Sequence, residues 1–144
     1  MADSPDSPDF NAFNRKVIAE FRENDGVVTG PFAGSPLLLL TTTGAKTGAE
    51  RTTPLVHTRD GDRVVVIASK GGAPSHPDWF RNLSANPGVT VELPGDTFQA
   101  QARVAEGEER DRLYRAQAEL MPNFDQYAAK TDRLIPVVVL ERVA

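Results

Sequence analysis

LLLLTTTGAKTGAERTTPLVHTRDGDRVVVIASKGG, residues 37–72, carries the pattern from which the architecture follows. Two uninterrupted apolar runs, residues 37–40 and 64–68, bracket a polar segment rich in turn residues. Apolar runs of this length read as strands covered on both faces. Residues 51–59 read as a strand between them. Pro54 lies inside it and lacks an N–H, so this strand belongs at a sheet edge or bulges at Pro54. Asp60-Gly61-Asp62 signals a hairpin. Strands this close leave no room for helical crossovers, so the sheet is largely antiparallel.

Periodicity continues outward on both sides. Residues 10–24 place Phe10, Phe13, Val17, Ile18 and Phe21 on one helical face, with Asp9 as the expected N-cap. A flap, a dimer contact and a membrane-surface helix remain alternatives to simple packing of that face. Helices are also expected at 77–85 and 108–129, and strands at 36–43, 63–69, 89–93, 97–105 and 135–141. Within 108–120, Glu108/Arg112 and Asp111/Arg115 stand at i,i+4 with the acid first, the favourable order. Six strands with flanking helices predict an α+β fold with a closed or partly closed barrel.

Composition narrows the function. The 144 residues suit one domain, expected at 10–144 after a disordered tail at 1–9 rich in Ser, Pro and Asp. No cysteine is present, which removes disulfides, cysteine nucleophiles and thiolate metal sites. It also fits a cytoplasmic location. With two histidines, His57 and His76, both read as solvated, no metal site is expected. The net charge is −4, yet residues 26–82 carry a basic excess. A local basic patch on an acidic chain suits a small anionic ligand rather than nucleic acid.

Gly44-Ala45-Lys46-Thr47 fails as a P-loop, because Ala precedes Lys46 and a strand follows. Lys46, between Gly44 and Gly48, and Arg51 at the next strand's start can still aim a point charge and a planar fork at one phosphate. Ser69-Lys70-Gly71-Gly72, at a strand end, lets backbone N–H groups approach a ring or phosphate. Trp79 and Phe80 are adjacent, so one faces inward and the other outward or toward a pocket. No hydrolase triad or carboxylate pair is evident.

Three blocks in order carry a resemblance: residues 39–51, residues 69–72, and residues 79–87 (WFRNLSANP), joined by the final strand at 132–140. Together they resemble the deazaflavin-dependent nitroreductase and quinone reductase family, over about residues 10–142. The resemblance implies a split β-barrel using reduced coenzyme F420 to deliver hydride to a quinone, nitro-aromatic or activated alkene. It implies that Lys46 and Arg51 bind the coenzyme's phosphate and acidic tail. Ser69, Lys70, Gly71 and Gly72 would meet phosphate and ring. Pro54, Leu55 and Val56 would line the ring, with Trp79 and Asn82 beside the coenzyme. Ser69 and Tyr127 would orient the acceptor.

Val56 stands where the family's best-known nitroreductase has Tyr, and Met121 and Phe124 replace two further tyrosines, leaving Tyr127. A less polar pocket suits a quinone. An FMN-using split barrel and a non-catalytic F420 carrier are the competing readings. Monomer and homodimer both remain open, as does peripheral membrane contact through residues 10–24.

Overall fold

The computed structural model describes residues 8–30, 33–34, 36–61, 63–69, 76–131 and 134–143, the first four through their backbone alone. In chain order the elements are α1 (Pro8–Glu23), β1 (Leu37–Thr43), β2 (Glu50–Val56), β3 (Thr58–Asp60), β4 (Arg63–Ile67), α2 (Asp78–Ala85), β5 (Gly88–Leu93), β6 (Asp96–Val104), α3 (Gly107–Leu120), α4 (Asn123–Lys130) and β7 (Val137–Arg142). Every strand pairing is antiparallel, in the order β2-β1-β5-β6-β7-β4-β3. No described helix is long and apolar enough to cross a membrane.

Among the described residues the sheet has seven strands rather than the six expected, because the strand anticipated at 51–59 divides at His57. Its two halves, β2 and β3, lie at opposite edges of the sheet although one residue separates them. That is feasible only if the sheet curls until its edges meet. The His57 N–H donates to the Pro36 carbonyl at 2.9 Å across this seam. Pro54 sits in an edge strand, opposite Leu39, as its missing N–H requires.

The expectation of strands covered on both faces holds, and alternation explains how. Leu38 and Leu40 of β1 join Val64, Val66, Val138 and Leu140 in the barrel interior. Leu37 and Leu39 point the other way and meet Val17 and Phe21 of α1 and Val28. Val65, Val137 and Val139 likewise turn outward to Leu113, Tyr114 and Phe124 of α3 and α4. Burying one such leucine is worth about 2 kcal/mol.

The anticipated first helix begins at Pro8, so Asp9 lies inside it rather than capping it. The rest of the expected tail lies outside the described residues. Of the apolar stripe of α1, Val17, Ile18 and Phe21 pack toward β1, while Phe13 is exposed. The C-terminal half of α1 is also pinned by polar groups. Arg22 forks onto Glu92 at 2.7 and 3.0 Å, and Glu20 accepts from the N–H and hydroxyl of Thr29.

On the other side, charge ties α3 to the β3–β4 hairpin. Glu109 accepts from Arg103 at 2.7 Å and Arg63 at 3.3 Å. Arg63 also pairs with Asp60, and Arg112 reaches the same carboxylate at 3.1 and 3.2 Å. Arg112, then Arg63, hold the Asp60 carboxyl down at about 2. The i,i+4 pairs anticipated on α3 are therefore not those formed. Arg112 turns to Asp60 and Arg115 to Asp125, at 3.2 Å.

His57 is not solvated, as the sequence suggested, but 8% exposed, with Nδ1 unpartnered. Burial foremost, with Arg59 nearby, pushes its pKa down to about 4, while the Pro36 backbone acts the other way. His76 is half-buried, its ring 4.9 Å from that of Phe80.

Candidate functional site

The β1–β2 hairpin turn is built to be held still. Gly44 N–H donates to the Ala49 carbonyl at 2.7 Å, and Gly48 N–H to the Gly44 carbonyl at 3.0 Å. Gly48 adopts φ 72°, a conformation glycine accepts without strain. A side chain on Gly44 would meet Thr47 Oγ1 at 2.9 Å and the Ala49 carbonyl at 3.1 Å. Asn82 of α2 clamps the turn from outside. Its Oδ1 accepts from Ala45 N–H at 3.0 Å and its Nδ2 donates to Thr42 Oγ1 at 3.2 Å.

Above this turn lies a cavity of about 440 Å³. Lys46 and Arg51 line it from the hairpin, with Thr52 and Thr53 following along β2. Trp79, Asn82, Asp78 and Arg81 line it from α2, and Asn14, Arg15 and Ile18 from α1. Among the described lining residues four cations thus face one acid, and that acid, Asp78, stands 3.6 Å from Arg81. Trp79 is 5% exposed and belongs to the interior cluster, so it forms the floor between core and cavity.

The structure brings together Lys46, Arg51, Trp79 and Asn82, four of the residues expected from sequence. Pro54, Leu55 and Val56 continue along β2 from the cavity lining. Pro54 is buried and Leu55 packs against the interior cluster that includes Trp79. Val56 bridges the two outer clusters, one of which holds Phe124, Met121 and Tyr127. The four positions expected near the acceptor therefore share one apolar neighbourhood. Phe124 stands edge-on to Tyr127, with ring centroids 5.2 Å apart. The Tyr127 hydroxyl accepts from Asn123 Nδ2 at 2.7 Å, which leaves its own O–H to donate. Ser69 is buried just beyond β4. Lys70, Gly71 and Gly72 lie outside the described residues.

Sequence reasoning missed Asn14, Arg15 and Arg81 as cavity residues. The available signal was Asn14 on the same helical face as Val17 and Phe21, a polar residue within an apolar stripe.

The fold is a curled antiparallel split barrel, and the cationic, tryptophan-floored cavity at its edge hairpin suits an anionic ligand. The family model for F420H(2)-dependent quinone reductase matches residues 13–142. An F420H(2)-dependent quinone reductase of Mycobacterium tuberculosis is 41% identical over 128 residues, covering 86% of each chain. Among solved structures, an F420-H2 dependent reductase shares 43% identity with a TM-score of 0.69, covering 74% of this chain and 94% of that one. Another, described as a domain-swapped dimer, shares 39% identity with a TM-score of 0.71, covering 94% and 100%. A pyridoxamine 5'-phosphate oxidase-like protein, 12% identical with a TM-score of 0.54 over 90% of this chain and 93% of its own, shares the fold alone. The chain belongs to the F420H(2)-dependent quinone reductase family.

Proposed function

We propose that the cavity receives the phosphate and acidic tail of coenzyme F420, with the deazaflavin ring lying along β2 toward Ser69. The carrying observation is the charge of the cavity: Lys46 and Arg51 on a clamped turn, with only Asp78 among its described acids. An anion entering there meets charge-assisted donors whose positions are already set. Its volume falls within the range of small-ligand pockets, roughly 300–1,000 Å³.

When bound, the reduced coenzyme supplies a hydride to an electron-poor acceptor. The chain's own residues bind, orient and exclude water. Pro54, Leu55 and Val56 offer an apolar track for the ring. The acceptor lies against Val56, Met121, Phe124 and Tyr127, where the apolar lining suits a quinone. The Tyr127 O–H donates a hydrogen bond to the acceptor oxygen, and Ser69 orients the acceptor from the opposite strand end. We further propose a homodimer, supported by the relative described as a domain-swapped dimer. Light scattering should then give twice the 15.6 kDa chain mass. Peripheral membrane contact through α1 is not part of this reading, in which Val17 and Phe21 face the barrel.

Fluorescence titration with F420, followed by oxidation of the reduced coenzyme by a quinone panel, tests the proposal. Binding with acceptor-dependent oxidation is expected. Binding without oxidation would indicate a carrier, and preference for FMN would reject the coenzyme assignment. Ser69→Ala should lower turnover about fivefold without abolishing coenzyme binding, the loss of one neutral hydrogen bond. Unchanged turnover rejects its role.

A further inference from the structure

Asn14 occupies a place where an apolar side chain would be expected. Positions 14, 17, 18 and 21 recur on one face of α1, and the other three are Val17, Ile18 and Phe21. Val17 and Phe21 are buried against Leu37 and Leu39, with Ile18 packed beside them. Asn14 is itself only 8% exposed, and it lines the cavity. Its amide has no hydrogen bond among the described residues. The buried side-chain polar atoms that lack a partner among the described residues are those of His57 and Gln117, not of Asn14, so the Asn14 amide opens onto the cavity, where a ligand can reach it. The neighbouring Arg15 lines the same cavity and forms no ion pair among the described residues. The other end of the helix is held by the Arg22–Glu92 fork. The N-terminal half therefore stands over the cavity with one amide and one guanidinium available to it.

We propose that Asn14 and Arg15 contact the ligand directly, and that occupancy clamps the N-terminal half of α1 onto the barrel. The Asn14 Nδ2–H donates to an anionic oxygen of the coenzyme's phosphate or acidic tail, and the Arg15 guanidinium pairs with that group or its neighbour. This inference rests on the reading of the cavity as the coenzyme site. The ligand is the anion rather than the acceptor, because the acceptor-facing residues Met121 and Tyr127 belong to a different cluster, against α3.

The test compares the full-length chain with Asn14→Leu and Arg15→Ala. F420 affinity is measured by fluorescence, melting temperature without coenzyme by calorimetry, and amide exchange of residues 12–22 with and without coenzyme. Arg15→Ala should weaken binding about tenfold and Asn14→Leu about fivefold, in keeping with one charged and one neutral hydrogen-bond donor. Asn14→Leu should hold or raise the melting temperature, since leucine completes the stripe. Coenzyme should slow exchange across residues 12–22 in the wild type and less so in either variant. A lower melting temperature with unchanged affinity would make Asn14 a packing residue and overturn its role. Affinities within twofold of wild type, or exchange indifferent to coenzyme, overturn the inference while leaving the cavity assignment standing. Failure of the wild type to bind F420 overturns the cavity assignment itself, and is seen in the first titration.

Discussion

On the α3 side of the barrel, Arg63, Arg103 and Arg112 meet Asp60, Glu109 and Glu141, so that three cations and three acids close into one network. On the side covered by α1 and α2, Arg15, Lys46, Arg51 and Arg81 share a cavity with Asp78. The two regions use the same chemistry to different ends. Where charge is balanced inside the protein, it positions secondary structure: α3 is tied to the β3–β4 hairpin. Where cations outnumber acids around a space, the balance must come from outside. Net excess of one sign at a concave site, rather than the number of charged residues, separates a binding region from a structural one.

The sharpest way to break this contrast is to remove the cavity's excess. Lys46→Ala combined with Arg51→Ala should weaken F420 binding by about a thousandfold, since two charge-assisted donors to the anion are removed together. The melting temperature should barely move. A titration showing unchanged affinity would dissolve the distinction between the two regions.

The next largest effect lies at the seam. His57 is held neutral in the folded chain, with its pKa down at about 4, against an ordinary value near 6.5. The unfolded chain thus takes up a proton that the folded chain refuses. Stability should fall as pH drops from about 6.5 toward 4, by on the order of 2–3 kcal/mol. Denaturant melts of wild type and His57→Gln across that window should differ in slope, with the variant flatter. Parallel curves would show that His57 is not the group responsible.

Asn82→Ala should come third. It frees the Ala45 N–H and Thr42 hydroxyl and loosens the turn carrying Lys46. F420 affinity should drop about tenfold, as the turn loses one positioning element. An unchanged titration would show that the turn holds without its clamp. Smallest of all should be Glu109→Gln in the balanced network, where its pairs are half-exposed and Arg63 and Arg103 keep other acids. A shift of about 2 °C in melting temperature is expected, with coenzyme affinity unaltered. Any loss of affinity there would connect the two regions energetically.

Much of the barrel was legible because its strands are apolar on both faces. The runs at 37–40, 64–68 and 137–140 leave no other element type for their length. The break at His57 was not legible. Leu55-Val56-His57-Thr58 has no turn residue, and the divergence of β2 from β3 comes from closure of the sheet, not from a local preference. In the site, Lys46 and Arg51 were visible because glycines and a strand boundary frame them. Asn14, Arg15 and Arg81 were not, because only the docking of α1 and α2 brings them to one space. The same holds for Arg112 and Arg115, whose partners on other elements displaced the nearer acids on α3. Of the suggestive stretch Ser69-Lys70-Gly71-Gly72, only Ser69 is among the described residues.

The position of β7 bears on how the protein is made. It lies between β6 and β4, so residues 137–142 join what would otherwise be two separate pieces of sheet. Until they are available, the β3–β4 hairpin has no sheet neighbour beyond itself, although Val64 and Val66 can already meet Leu38 and Leu40 of β1. A nascent chain emerging from the ribosome therefore carries an open, apolar sheet margin through the synthesis of some seventy further residues (Ile67 to Val137). Joining the hairpin to the rest of the sheet must therefore wait for the last strand of the chain.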